Sequence, residues 1–472
     1  MKIRDFRSEA HRLADWMADY LESVDQFPVK AQQKPGSIFG QLPVEPPVEG
    51  ELFEEIFRDF RDVIVPGMTH WQHPSFFAYF NANSSPPSIL AEMLTATLGA
   101  QCMSWETSPA ATELEQVTVE WIRRMIGLPE VFTGSIQDTA STATLQAVLA
   151  ARERVTGGVA GRGGLSGHPS LATYTSAEAH SSVDKAVRLA GLGSENLRKI
   201  QVDAQLGMDA RALDRAIAAD RQAGKVPTCV VATFGTTGTG AMDPIREIAS
   251  VTRRHDVWLH VDAAWAGSAL ILPEHRGLAD GIDEADSVVF NPHKWLFTNF
   301  DCSILYVRDV QQYVETFAAT PEYLRTRVDS QVTNYRDWGI QLGRRFRALK
   351  LWFVVRSYGV SGLQSMLRQH VALAEDLAGQ IGGERDFEII LRPTLSLVCF
   401  RYVPGGFDDE QLDDLNERLL HKVNDSGKLY ITHTRVKGHF VIRFVIGQTY
   451  TGRRHVEEGW KVIRETARSL VG

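Results

Sequence analysis

Between Thr112 and Arg308 the chain alternates short, β-rich apolar runs with amphipathic helical stretches, and this limits its fold more than any other feature. The helical pattern "ATELEQVTVEWIRRMIGL" leads to "GSIQDTASTATLQAVLAARERV". The strand-like runs "LATYTS", "RKIQV", "TCVVATFG", "VWLHVDAAW", "ADSVVFNP" and "CSILYVR" follow, separated for the most part by helical stretches such as "DARALDRAIAADRQAG" and "DPIREIASVTRRH". Strands covered on both faces read as continuous apolar runs, and the helices between them serve as crossovers of a parallel sheet. The expected fold class is therefore α/β, a mostly parallel central sheet with helices on both faces. Before this region lie a helical pattern over the first 24 residues and the Pro- and Gly-rich "PVKAQQKPGSIFGQLPVEPPVEGE". After about Leu349, "ALKLWFVVRSYG" and "VSGLQSMLRQHVALAEDLAGQI" read as helices preceding short strands, a smaller α+β domain. The expected division is a helical N-terminal arm over 1–85, a large domain over 86–348 and a small C-terminal domain over 349–472.

Composition matters mainly for what it excludes. A net charge of −8 and a pI near 6.0 argue against nucleic acid as the principal partner. No apolar run is long enough to span a membrane, and the acidic opening "MKIRDFRSEAHRLADWMADYLESV" lacks the apolar core of a signal peptide. The four cysteines stand far apart without CxxC spacing, which speaks against a zinc site or disulfide framework and for a reducing cytoplasm. No metal is expected. No strand is followed by GxGxxG, so a dinucleotide site is a poor reading.

In an open α/β sheet, ligands bind at the carboxyl ends of the strands. After "VWLHV" comes Asp262, and after "SVVF" come Asn291, Pro292, His293 and Lys294. After "LATYTSAEA" comes His180. After "GSIQD" come Thr139, Ala140, Ser141 and Thr142, opening a helix. After "CVVATFG" come Thr236 and Thr237. Each has an ordinary explanation alone: a capping aspartate, a lysine reaching solvent, a structural histidine, a plain N-cap. Together they supply an amine, a carboxylate, an imidazole and a hydroxyl-rich helix start at one set of strand ends. That inventory suits pyridoxal 5′-phosphate (PLP): an amine for its aldehyde, a carboxylate for its ring nitrogen, a helix N-terminus for its phosphate.

"HVDAAWAGSA" and "FNPHKWLFTNFDCS" resemble the signature of the group II PLP-dependent amino acid decarboxylases, most closely the aromatic-L-amino-acid decarboxylases. Further resemblances run along nearly the whole chain, among them "HWQHPSFFAYF", "SWETSPAATELE", "AHSSVDKA", "VVATFGTTGTG" and "DWGIQLGRRFRALKLWFVVRSYGV". The resemblance implies the aspartate-aminotransferase-like fold type I. It also implies a homodimer with shared active sites, the N-terminal arm packing across the dimer.

It further implies residue roles. Lys294 is the Schiff-base lysine, Asp262 the partner of the pyridinium nitrogen, and His180 the residue stacked on the ring. Ala140, Ser141, Asn291 and His293 contact or border the phosphate. Thr236 and Ala264 lie beneath the ring, Thr236 orienting Asp262. Trp71, Tyr79 and Phe80 line the pocket for the substrate side chain, though aromatic core packing is the ordinary alternative for any of them. Arg443 in "VIRF" stands near the substrate carboxylate, and Gly343 influences which ring sizes fit. Gln101 and Met103 are lent to the partner's pocket. Tyr323 in "ATPEYLRTRVDSQ" returns a proton after CO2 leaves; a phenylalanine there is associated with aldehyde-forming relatives. The expected activity is decarboxylation of tryptophan, tyrosine, phenylalanine or DOPA. The alternatives are another PLP-dependent decarboxylase (histidine, glutamate or a sulfinate) or an aromatic aldehyde synthase.

Overall fold

The computed structural model describes residues 3–318, 327–329 and 331–471. The chain forms two compact units: Met1–Asn81 with Leu373–Arg392 and Ser396–Gly472, and Ala82–Ala372 with Pro393–Leu395. The N-terminal segment thus joins the C-terminal segment in one unit. The expected boundary near residue 349 falls inside the helical stretch Arg347–Gly382, which is broken at Gly359 (φ 64°, ψ 171°). Only glycine holds such a conformation readily, so the expected stop at "RSYG" is a real interruption.

The second unit is built on a seven-stranded sheet: β1 Thr133–Gln137, β2 Leu171–Ser176, β3 Leu197–Ile200, β4 Val226–Thr233, β5 Trp258–Asp262, β6 Ser287–Phe290 and β7 Ser303–Val307. Their spatial order is β1-β7-β6-β5-β4-β2-β3. The β2–β3, β2–β4, β4–β5 and β5–β6 pairings are parallel, whereas β7 runs antiparallel to both β6 and β1. Because two reversals cancel, β1 points the same way as β6. The carboxyl ends of β1, β6, β5, β4 and β2 therefore share one edge. β2, β5, β6 and β7 are buried along their whole lengths, as strands covered on both faces must be.

The helix Ala140–Thr156 lies on this sheet with small buried residues, Ala143, Ala147, Ala150 and Ala151, which allow close approach. It begins at Thr139, whose Oγ1 accepts the Thr142 N–H at 3.4 Å, and stops at Gly157 (φ 59°). Apolar residues of this helix pack with Leu171, Val231, Trp258, Val289 and Leu305 from five strands to form the core.

The first unit carries the antiparallel sheet β8 Phe387–Leu391, β9 Leu397–Tyr402, β10 Thr432–Val436 and β11 His439–Val445, in the order β10-β11-β9-β8. Its core gathers Phe77, Phe400, Phe444 and Trp460 with leucines of the helix Asp409–Asp425. The opening helix Ile3–Ser23 buries no residue of its own. It is held by Trp16 against Phe57 and Phe60 and by Tyr20 Oη, 2.7 Å from His70 Nδ1. Among the described residues no helix is long and apolar enough to cross a membrane.

Candidate active site

Five strand ends on one edge of the large sheet bring the expected residues together. Asp262 ends β5, buried at 6% exposure. Its Oδ1 accepts the Ala264 N–H at 3.0 Å, and its carbonyl accepts the Phe234 N–H at 2.8 Å. Among the described residues no protein donor reaches its second carboxylate oxygen. Ala264 in turn accepts the Asn291 N–H at 2.9 Å, joining the loop after β5 to the one after β6.

Asn291, Pro292 and His293 are buried, and Lys294, on the single helical turn Pro292–Trp295, is partly buried. The turn is braced on several sides. Lys294 N–H donates to the Asn291 carbonyl at 3.0 Å, and Asn291 Oδ1 accepts the Ser303 hydroxyl at 2.7 Å. The Asn83 N–H donates to the His293 carbonyl at 3.1 Å, and its side-chain amide donates to the Lys294 carbonyl. Behind the lysine, Trp295 stacks on Trp265 (centroids 5.4 Å apart) and donates its indole N–H to His370 Nδ1 at 3.0 Å. The apolar company of Lys294 is thus the wall that aims it.

His293 Nδ1 accepts the Cys302 N–H at 2.9 Å, which leaves the ring proton on Nε2 as a donor. Burial, reinforced by the charge of Lys294, pulls its pKa down to about 3, so the imidazole is neutral. His180 follows β2, with Nδ1 accepting the Ser182 N–H at 3.1 Å. Part of His180 faces solvent, yet the crowded crevice lowers its pKa by desolvation, with Lys294 adding to the effect and Asp262 opposing it. Lys294, Asp262 and His180 therefore share one electrostatic environment.

At the end of β1, Ala140 and Ser141 begin a helix whose first N–H groups have no intrahelical acceptor. Thr236 is buried after β4, but its hydroxyl pairs with Thr239 Oγ1 at 3.2 Å and not with Asp262. The Asp262 carboxylate is held here by the Ala264 N–H, while the Thr236 hydroxyl is occupied within its own loop. Gly235 in this loop has φ 88°, and an added Cβ would lie 2.6 Å from Ala266 Cβ.

The donor set fits PLP. A buried carboxylate whose second oxygen accepts no hydrogen bond from the described residues suits a protonated ring nitrogen. A helix start and a neutral histidine donor suit a phosphate. An amine on a braced turn suits an aldehyde.

Gln101 and Gly343 are exposed and adjacent in the second unit: Gln101 Oε1 accepts the Arg344 N–H at 3.0 Å, and a Cβ on Gly343 would lie 3.2 Å from Gln101 Nε2. The Met103 carbonyl accepts the Arg336 N–H at 2.8 Å. In the first unit Trp71 stacks on Phe76 and Tyr79, and Tyr79 Oη lies 3.1 Å from Tyr430 Oη. Tyr79 has φ 52°, a strained value for a bulky residue. Arg443, buried at 3% exposure and with its pKa lowered by desolvation, stands 5.4 Å from the centre of the Phe80 ring and donates to Thr432 Oγ1 at 2.6 Å. Tyr323 lies outside the described residues.

Two supports escaped the reading of the sequence. Asn83 holds the lysine turn; an asparagine in "FNANSS" was its only signal. Glu115 accepts the Ile136 N–H at 2.8 Å and pairs with Arg344 at 2.7 Å, both side chains buried. A glutamate among Ala111, Thr112, Thr118, Val119 and Ile122 on the buried face of its helix was a readable sign.

Residues 35–403 match the model of the pyridoxal-dependent decarboxylase conserved domain. The chain is 41% identical to tryptophan decarboxylase 2 of Oryza sativa subsp. japonica, covering 100% of this chain and 96% of that protein. It is 40% identical to phenylacetaldehyde synthase of Arabidopsis thaliana, covering 100% and 97%. The crystal structure of Oryza sativa TDC with PLP and tryptamine superposes with a TM-score of 0.97 at 38% identity, covering 100% of this chain and 99% of that one. The expected fold type I, with its mostly parallel sheet and small antiparallel C-terminal sheet, is therefore the fold present. With the family match, full-length relatives and a PLP-suited strand edge in agreement, the chain belongs to the group II PLP-dependent decarboxylases, among the aromatic L-amino acid decarboxylases.

Proposed function

We propose that this enzyme decarboxylates an aromatic L-amino acid to the arylalkylamine and CO2, working as a cytoplasmic homodimer. The observation that carries the reading is the shared strand edge of Lys294, Asp262, His180 and the helix start at Ala140. When bound, PLP supplies a protonated pyridine ring that accepts the electron pair released as CO2 departs. Asp262 would hold the ring nitrogen, Ala140, Ser141 and His293 the phosphate, and Lys294 the aldehyde, with Asn291, Thr236 and Ala264 bordering these contacts.

The residues of the chain then bind, orient and move protons. Lys294 would hold the cofactor through its amine. His180, whose pKa is lowered by desolvation in the crevice, would pack against the ring. Holding the substrate carboxylate in one orientation and keeping water away would both lower the barrier to CO2 loss. Tyr323 returns a proton to the carbon that lost CO2; a tyrosine there supports amine as the product.

Trp71, Tyr79 and Phe80 with the buried guanidinium of Arg443 suit a planar ring bearing a carboxylate. The polar Gln101 beside Gly343 favours a ring carrying a hydroxyl or N–H, such as that of tyrosine, DOPA or tryptophan. A dimer accounts for the exposed Leu90, Met93, Leu94 and Leu98 on the helix Pro86–Leu98, an apolar face leading to Gln101 and Met103. The four free, buried cysteines suit a reducing compartment.

The second reading is aldehyde synthase, the activity for which the Arabidopsis relative is named. Incubating the purified protein and PLP with each aromatic amino acid, then quantifying CO2, amine, aldehyde and hydrogen peroxide, separates the two. Amine equal to CO2 supports the proposal; aldehyde with peroxide and no amine overturns it.

A further inference from the structure

Two residues before Asp262 on β5 stands His260, fully buried and without a part in the chemistry above. Alternation along a strand places its side chain on the same sheet face as Asp262. Its Nδ1 lies 2.8 Å from Ser287 Oγ, and its Nε2 lies 3.4 Å from Thr144 Oγ1. Ser287 opens β6, is the register partner of His260, and leads along that strand to Asn291 and Lys294. Ser287 Oγ also accepts the Trp258 indole N–H at 2.9 Å, a second tie between β5 and β6. Thr144 sits in the second turn of the helix that starts at Ala140.

His260, Ser287, Thr144 and Trp258 are each at most 1% exposed, so water cannot replace a lost bond. Burial lowers the His260 pKa to about 4, against the pull of Asp262, the charged group that faces it. A neutral imidazole thus bridges three elements where an apolar side chain would ordinarily fill a sheet–helix core. A satisfied polar network of this kind fixes one geometry, where apolar packing alone tolerates several.

We infer that His260 is a positioning residue that holds the Asp262 strand, the Lys294 strand and the Ala140 helix at one fixed spacing, and so sets the distances among the anchors for the cofactor's ring nitrogen, aldehyde and phosphate. The inference rests on those three cofactor assignments. Each tie has its own readout. Thr144 acts on the phosphate anchor, and Ser287 acts on the lysine strand.

The full-length protein and its Thr144→Val, Ser287→Ala, His260→Gln and His260→Phe variants are stripped of cofactor and reconstituted with PLP or with pyridoxal, which lacks the phosphate. Thr144→Val should reduce the preference for PLP over pyridoxal roughly three- to tenfold, the scale of one hydrogen bond. It should leave the pH midpoint of the visible lysine–cofactor band in place. Ser287→Ala should move that midpoint by about half a pH unit or more and keep the PLP preference, since one pKa unit corresponds to a tenfold change in equilibrium. His260→Phe should do both, and His260→Gln, able to keep one tie, should fall between. Variants that lose thermal stability alone, with preference and midpoint unchanged, overturn the inference and make His260 a packing residue. A wild-type protein that forms no visible band overturns the cofactor assignments, and the inference with them.

Discussion

Lys294 owes its usefulness to what holds its backbone. Asn83 and Asn291 both hydrogen-bond the turn, and Trp265, Trp295 and His370 pack together beside it. None of these contacts needs the amine, so Lys294→Ala should keep its thermal unfolding within a few degrees of wild type while losing the visible PLP band. A variant that kept the band would show that the lysine has been misassigned. Asp243 shows how a buried carboxylate behaves without a cation. Its two oxygens accept the Thr233 and Met208 N–H groups, both at 2.7 Å, and desolvation raises its pKa to about 6. The folded protein binds this proton more tightly than the unfolded chain does. The resulting stabilisation is complete below about pH 4 and is lost as pH rises through about 6. Asp243→Asn stays neutral throughout, so its stability lacks this pH dependence. Urea unfolding should find the wild type's advantage over this variant largest near pH 4 and shrinking towards pH 7. A constant or growing advantage would contradict the assignment.

The elements divide into those written in local sequence and those decided by distant partners. The strand ends bearing Asp262, His180 and Lys294 were legible because Asp262 closes one strand run and His180 and Lys294 each stand four residues past the end of another. The reversal of β7 was not, because β6 and β7 carry the same apolar signature whichever way they pair. The hydroxyl of Thr236 was expected on Asp262 and is found on Thr239, since a residue's rotamer answers to its own loop. Glu115 was passed over because its single charge sits in an otherwise ordinary helix. It joins that helix to the β1 backbone and to Arg344, which also donates to the Ile136 carbonyl at 2.7 Å. Glu115→Gln would strand a buried guanidinium, a loss of about 3–5 kcal/mol. Chemical denaturation should show a drop of that size; a change under about 1 kcal/mol would mean that the pair is hydrated or replaceable.

At the scale of the whole molecule, local pattern gave the two sheets but not how the chain divides between units. The helical arm at the start of the chain belongs with the last hundred or so residues through contacts such as Phe77 on Phe444, centroids 4.0 Å apart, which no local pattern encodes. The exposed leucines of the helix Pro86–Leu98 bear on assembly. If a second copy covers them, Leu94→Asp together with Leu98→Asp should shift the protein to a monomer in sedimentation velocity and sharply reduce turnover, while far-UV circular dichroism stays unchanged. A dimer that persists with full turnover would place the interface elsewhere. The central claim concerns the reaction itself, and product stoichiometry tests it most directly. With PLP and tryptophan, tyrosine, phenylalanine or DOPA, at least one substrate should yield CO2 and arylalkylamine in equal amounts, without hydrogen peroxide. Aldehyde and peroxide in place of amine, or no CO2 from any of the four, would contradict it.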